Sequence, residues 1–168
     1  VASFISTTGF GNADNAIWPV MANIFLLFAA FHCGCSGSTT GGIKADRMLI
    51  VFKEIWNELK RRLHPSSVFC TKIDDHTVSK DQISAVFLYF VAYIFILFMA
   101  FLAVLISGAD IADAFSGTLA SLGNVGPGLG GLGTMGNYAS QTAFAKMAYT
   151  TVMFLGRLEI FPVLAVLH

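Results

Sequence analysis

Charge is what this sequence has least of. Only 12% of its 168 residues are Asp, Glu, Lys or Arg, about half the share found in soluble domains. With 55% hydrophobic residues and a mean hydropathy of +0.71, that scarcity argues against a water-soluble enzyme and against a disordered tail. Ten basic residues cancel ten acidic ones. Net charge therefore points to no polyanionic partner, and no basic patch with interleaved aromatics suggests nucleic acid. Cysteine is scarce too. Cys33, Cys35 and Cys70 cannot build a disulfide framework. His32-Cys33-Gly34-Cys35 has too few ligands for a metal site, and no second cluster completes it. The thiols read as small, soft residues packed between helices. No Ser/His/Asp or Cys/His arrangement is present, so no enzyme is expected. No Met opens the chain, and no charged segment with a cleavage site follows. The expectation is a fragment that begins partway through a longer protein.

What is present is greasy and irregular: sixteen Phe and sixteen Gly. Residues 83–106 carry no charge, Gly or Pro. At 1.5 Å per residue they reach roughly 36 Å, enough to cross a bilayer with some tilt. Asp81 precedes this run and Ser107-Gly108 ends it. A second apolar segment, 17–35, opens on Trp18 and Pro19, an interfacial aromatic and a residue suited to a first helical turn. It runs into Gly34-Cys35-Ser36-Gly37-Ser38-Thr39-Thr40-Gly41-Gly42, which a continuous helix does not tolerate. An amphipathic stretch, 43–63, follows. Eight of the ten basic residues fall between Lys44 and Lys80, which the positive-inside rule places in the cytoplasm. A third apolar segment, 145–168, is expected to break at Gly156-Arg157-Leu158-Glu159 and at Pro162. Ionisable groups at that depth are functional candidates, with a structural ion pair as the competing reading.

Between the last two spans, residues 112–122 predict a helix too short to cross, followed by Gly123-Asn124-Val125-Gly126-Pro127-Gly128. Non-helical backbone at membrane depth survives only where protein buries it or water reaches it. A re-entrant pore loop meets that condition. Thr7-Thr8-Gly9-Phe10-Gly11 repeats the pattern. Thirty residues beyond Gly9 lies Thr39 in the Gly-rich break, and thirty beyond Gly126 lies Gly156. Two M1–P–M2 units are expected, the first without its M1 and most of its pore helix. Two nucleotide motifs nearly appear. Gly37 to Lys44 has Ile43 where a phosphate loop needs Lys, and Gly128-Leu129-Gly130-Gly131-Leu132-Gly133 has no strand before it.

A pore loop works through backbone. Carbonyl oxygens replace the water of a dehydrated cation, and Gly allows the dihedrals that aim them. Thr7, Thr8 and Gly9 would form one wall, and Asn124, Val125 and Gly126 another.

Four motifs taken in order carry a resemblance over nearly the whole chain: Ser6-Thr7-Thr8-Gly9-Phe10, Gly34 through Lys44, Leu122-Gly123-Asn124-Val125-Gly126-Pro127-Gly128, and Gly156-Arg157-Leu158-Glu159-Ile160. The sequence resembles the C-terminal half of a potassium-translocating subunit of the Trk/Ktr/HKT superfamily, TrkH-like. The resemblance implies an all-α membrane protein with two of four pore-loop repeats. Residues 1–52 would be the end of a third-repeat pore loop and its broken M2, 53–81 a basic cytoplasmic loop, and 82–168 a full fourth unit. Thr7, Thr8, Gly9, Phe10, Asn124, Val125, Gly126 and Pro127 would form the filter, with potassium, the transported ion, held at Thr8, Gly9, Val125 and Gly126. Ser36, Gly37, Ser38, Thr39, Thr40, Gly41 and Gly42 would be an intramembrane gate, with Arg157 the pore-lining arginine. In the plant branch, Ser at the first repeat's equivalent accompanies Na⁺ transport, so glycine at 9 and 126 favours K⁺.

The resemblance also implies a homodimer, a cytosolic nucleotide-binding regulatory ring, and a multi-pass place among lipids of a prokaryotic inner membrane. The rival class is a secondary, ion-coupled transporter with a midplane site at Arg157 and Glu159. Asp110 and Asp113 read equally as an outer cation funnel and as helix N-terminal acids.

Overall fold

The computed structural model describes residues 1–32, 34, 38, 40–63, 71–73 and 76–158. The described residues form six α-helices: α1 (Ala2–Ile5), α2 (Val20–Phe31), α3 (Ala45–Leu63), α4 (Lys80–Ile106), α5 (Ile111–Leu122) and α6 (Ala143–Arg157). Two strands, β1 (Lys72–Ile73) and β2 (His76–Thr77), pair antiparallel between α3 and α4. The architecture is the all-α one expected.

Helix α4 is the frame. Ser79 Oγ accepts from the Gln82 N–H and Gln82 Oε1 accepts from the Ser79 N–H, a capping box that fixes its start. Gly108, at φ +87°, turns the chain away at its end. Its 27 residues reach about 40 Å against a hydrocarbon layer of about 30 Å. Among the described residues it is the one helix long and apolar enough to span. Leu88, Val91, Phe95, Phe98 and Met99 lie exposed along it, while Tyr89, Tyr93, Ala100 and Val104 are buried. The exposed stripe requires lipid or protein cover.

Helix α5 is enclosed by α2, α4 and α6 and is buried without interruption from Ser116 to Leu122. Small residues allow this approach. A Cβ at Gly117 would lie 2.7 Å from Leu132 Cδ1 and 2.8 Å from Tyr149 Oη. Its buried hydroxyls are satisfied locally: Thr118 donates to the Ala114 carbonyl (2.6 Å), and Ser116 accepts from the Leu129 N–H (3.0 Å). At twelve residues, about 18 Å, α5 is too short to span, as expected.

One local expectation is corrected: Pro19 is the N-cap of α2, not part of its first turn. The last helix ends inside the expected Gly156–Glu159 motif: Gly156 is still helical, α6 runs to Arg157, and Leu158 is its C-cap, its N–H bonding the Phe154 carbonyl. A Cβ at Gly156 would overlap the Leu122 carbonyl oxygen far inside the 3.0 Å limit. The glycine is there because α6 crosses the end of α5 backbone to backbone. The spans also start at unequal distances, α2 eleven residues after Gly9 and α6 seventeen after Gly126.

Candidate ion pathway

The two expected filter loops have one backbone. In each, a helix ends and the next residues wrap its last turn. The Ser6 N–H bonds the Ala2 carbonyl and the Gly123 N–H the Leu119 carbonyl, both at 2.9 Å. Thr7 bonds Phe4 at 3.3 Å as Asn124 bonds Ser121 at 3.1 Å. Thr8 bonds Ser3 at 3.0 Å as Val125 bonds Ala120 at 2.8 Å. Gly9 and Gly126 add longer bonds to the same Ser3 and Ala120 carbonyls, at 3.4 and 3.5 Å. Each bond recurs 117 residues later. This is a Schellman closure, which needs a left-handed residue just past the helix.

Thr7 (φ +52°) and Asn124 (φ +54°) supply that residue, and Gly9 (φ +73°) and Gly126 (φ +101°) return to positive φ two residues on. Asn tolerates this conformation, but a β-branched Thr there is a strained outlier. Such strain persists where surroundings over-determine it, often at functional sites.

The two loops touch. A Cβ on Gly9 would stand 2.5 Å from the Val125 carbonyl oxygen and 3.3 Å from Pro127 Cδ. The Val125 side chain is buried with Phe4, Leu26, Ala29 and Ala30, which ties the second loop into the first unit's helices. Thr8 Oγ1 lies 2.5 Å from Ser6 Oγ, and Phe10 is exposed. The carbonyl end of α5, with its partial negative charge, leads directly into the 124–127 loop.

Two other parts, α6 and the Gly-rich break, converge on Gly123 and Asn124. Asn124 Nδ2 donates to the Met153 carbonyl of α6 (3.1 Å), one turn before Arg157. Gly156 packs on Leu122 beside it, which sets Arg157, exposed in the last turn of α6, close to this corner. From the Gly-rich break, a Cβ on Gly41 would lie 2.7 Å from the Gly123 carbonyl oxygen and 3.1 Å from Asn124 Cβ. The two sides of the break are tied together: His32 bridges Ile43, and the Ala45 N–H bonds the Gly34 carbonyl at 3.1 Å. Within it, Ser38 Oγ and Thr40 Oγ1 lie 2.6 Å apart, and Gly42 sits at φ +72° with its carbonyl 3.4 Å from Tyr89 Oη. Ser36, Gly37 and Thr39 of the expected gate, Cys33, Cys35 and Cys70, and Glu159 of the rival midplane pair lie outside the described residues.

Asp110 and Asp113 are engaged in structure. Asp110 caps α5 at the Ala112 N–H (3.2 Å), and Asp113 accepts from the Gly131 N–H (3.2 Å). The sequence reading missed Asn15. It is buried, donates Nδ2 to the Gly128 carbonyl (3.0 Å) and accepts at Oδ1 from the Thr134 N–H (3.0 Å). It therefore clamps the segment after the second loop from the first unit. An isolated Asn in a polar stretch carries no sign of that. Among the described residues no group of three or more His, Cys, Asp or Glu is placed to hold a metal ion.

Comparison with known proteins places the chain in a family. The TrkH family, described as cation transport protein, matches residues 1–167. The Trk system potassium uptake protein TrkH of Escherichia coli K12 is 39% identical over 92 residues, which is 55% of this chain and 19% of that protein. TrkI of Halomonas elongata, also a Trk system potassium uptake protein, is 35% identical over 81 residues, 48% of this chain and 16% of its own. The crystal structure of the potassium transporter TrkH from Vibrio parahaemolyticus superposes with a TM-score of 0.88 at 35% identity, covering 98% of this chain and 35% of that one. The chain thus spans about a fifth of the curated relatives it matches and about a third of the solved one. It belongs to the TrkH family of cation transport proteins.

Proposed function

We propose that this chain supplies two adjoining walls of a potassium-selective pore, within a membrane subunit of the Trk type that takes up K⁺. The observation that carries the reading is the repeated backbone. Two helix ends, 117 residues apart in sequence, close with the same four bonds and the same pair of positive-φ positions, and the resulting loops lie against each other. Carbonyls of Thr8, Gly9 and Val125 would replace the ion's water, while the Gly126 carbonyl, expected among them, accepts from the Tyr138 hydroxyl (2.8 Å), and the carbonyl end of α5 would favour a cation. The Gly-rich loop at 36–42 would gate, and Arg157 would add a fixed positive charge where α6 meets the second wall. The resemblance to Trk proteins further supports a homodimer regulated by a cytosolic nucleotide-binding ring at a prokaryotic inner membrane. Copurification of a second copy and of a nucleotide-sensitive soluble subunit tests that part.

The decisive experiment reconstitutes the complete subunit containing this segment in liposomes. The reading expects a current that reverses near the K⁺ equilibrium potential and is indifferent to a proton gradient. A saturating flux that requires a proton or sodium gradient would replace it with the ion-coupled carrier. For the gate, shortening the 36–42 loop is expected to raise basal flux at unchanged ion preference. Unchanged or lower flux in folded protein would remove the gate assignment.

A further inference from the structure

The second filter loop is held from behind by a residue that the first loop lacks. Tyr138 Oη donates to the Gly126 carbonyl at 2.8 Å. Tyr138 stands on a 3₁₀ turn, Tyr138–Ser140, inside the longer linker between Gly126 and α6. That turn is itself fastened. Asn137 Oδ1 accepts from the Ala139 N–H (3.0 Å), and Lys146 Nζ from α6 donates to the Ala139 carbonyl (2.8 Å). The Tyr138 ring packs edge-on to Tyr149, centroids 5.2 Å apart. The linker after Gly9 is six residues shorter and contains no tyrosine.

Behind the loop lies a cavity of about 190 Å³ lined by Ser121, Gly126, Tyr138, Tyr149 and Met153, among others. The Tyr149 hydroxyl is buried there with no hydrogen bond. A Cβ at Gly126 would meet nothing within 4 Å. The 125–126 peptide is held by the Gly126 N–H bond to the Ala120 carbonyl (3.5 Å) and by the approach of its carbonyl to Gly9. On the other side of Gly126, at φ +101° and with no side chain to fix it, the Gly126 carbonyl is held by the Tyr138 hydroxyl.

We propose that Tyr138 is a positioning residue for ion selection: its hydroxyl fixes the Gly126 peptide and so holds the second wall in its selective geometry. This rests on the reading of 124–127 as a filter wall. The effect is one-sided, because the linker after Gly9 has no tyrosine to brace the first wall in the same way. A wall released from its brace adapts to a smaller ion, so sodium gains relative to potassium.

The test measures the Na⁺/K⁺ permeability ratio, by reversal potential, in the reconstituted complete subunit. Tyr138→Phe removes only the hydroxyl and keeps the ring contact. It is expected to raise the ratio by about two- to tenfold, the worth of one hydrogen bond. Lys146→Met, which unfastens the same turn, should shift the ratio the same way by less. It also decides the matter if Tyr138→Phe fails to assemble. Tyr149→Phe, which removes an unbonded hydroxyl, should leave the ratio unchanged. Gly126→Ala separates the two ideas. If it alters the ratio while Tyr138→Phe and Lys146→Met do not, the brace is wrong and the filter wall stands. If none of these three variants alters the ratio, both readings fall together.

Discussion

Gly9 and Gly108 make a matched pair for testing the filter. Both sit at positive φ, +73° and +87°, so a side chain at either is strained by about 1–2 kcal/mol. They differ in their surroundings. A Cβ on Gly108 meets nothing within 4 Å, whereas one on Gly9 stands 2.5 Å from the Val125 carbonyl oxygen. Bringing that contact to even 3.0 Å requires the two walls to separate by about 0.5 Å, comparable with the difference in radius between Na⁺ and K⁺. Gly108→Ala in the complete subunit is therefore expected to lower thermal stability by the φ strain alone, and Gly9→Ala by that strain plus the cost of displacing the Val125 carbonyl. Only Gly9→Ala should lower potassium over sodium discrimination, by roughly tenfold if the displaced carbonyl loses about 1.4 kcal/mol of preference. Gly9→Ser should do the same. Stability is read by melting of the purified protein and selectivity by competitive uptake or reversal potentials. Equal selectivity in the two alanine variants, with both folded, would refute the claim that Gly9 and Val125 are neighbouring parts of one filter.

Thr7 carries the strain of a β-branched residue at φ +52°, so Thr7→Asn, which copies Asn124, is expected to raise stability by about 1 kcal/mol; a lower melting temperature would show that no strain is stored there. Asn15→Leu strands the Gly128 carbonyl and the Thr134 N–H in the interior and is expected to cost about 2–4 kcal/mol, read as a lowered melting temperature. Gly156→Val places side-chain atoms on the Leu122 carbonyl and should abolish assembly, whereas a helix-breaking role for Gly156 would make valine stabilising. Arg157→Ala should leave the protein in the membrane and speed potassium flux, since a fixed charge 4 Å from the ion costs about 4 kcal/mol at an effective dielectric near 20. Loss of the protein, or normal flux with normal regulation, would take Arg157 out of the pathway.

The linear chain by itself determined what depends on near neighbours. An uncharged run without Gly or Pro became α4, and Ser107-Gly108 stopped it, because helix length and termination are decided within a turn or two. The same holds for the short α5 and for the Gly-x-Gly likeness of the two loops. What touches what could not be read there. Gly156 reads as a helix breaker by composition, yet its meaning is that the Leu122 carbonyl arrives where a Cβ would be. Gly41 matters because α5 ends against it. Asn15 and Tyr138 look like ordinary linker residues until folding brings Gly128, Thr134 and Gly126 within 3 Å of them. Propensity and periodicity are sums over local backbone states. Exclusion of a side chain, or capture of a carbonyl by a distant hydroxyl, depends on which remote segment packs there, and only the tertiary structure decides that.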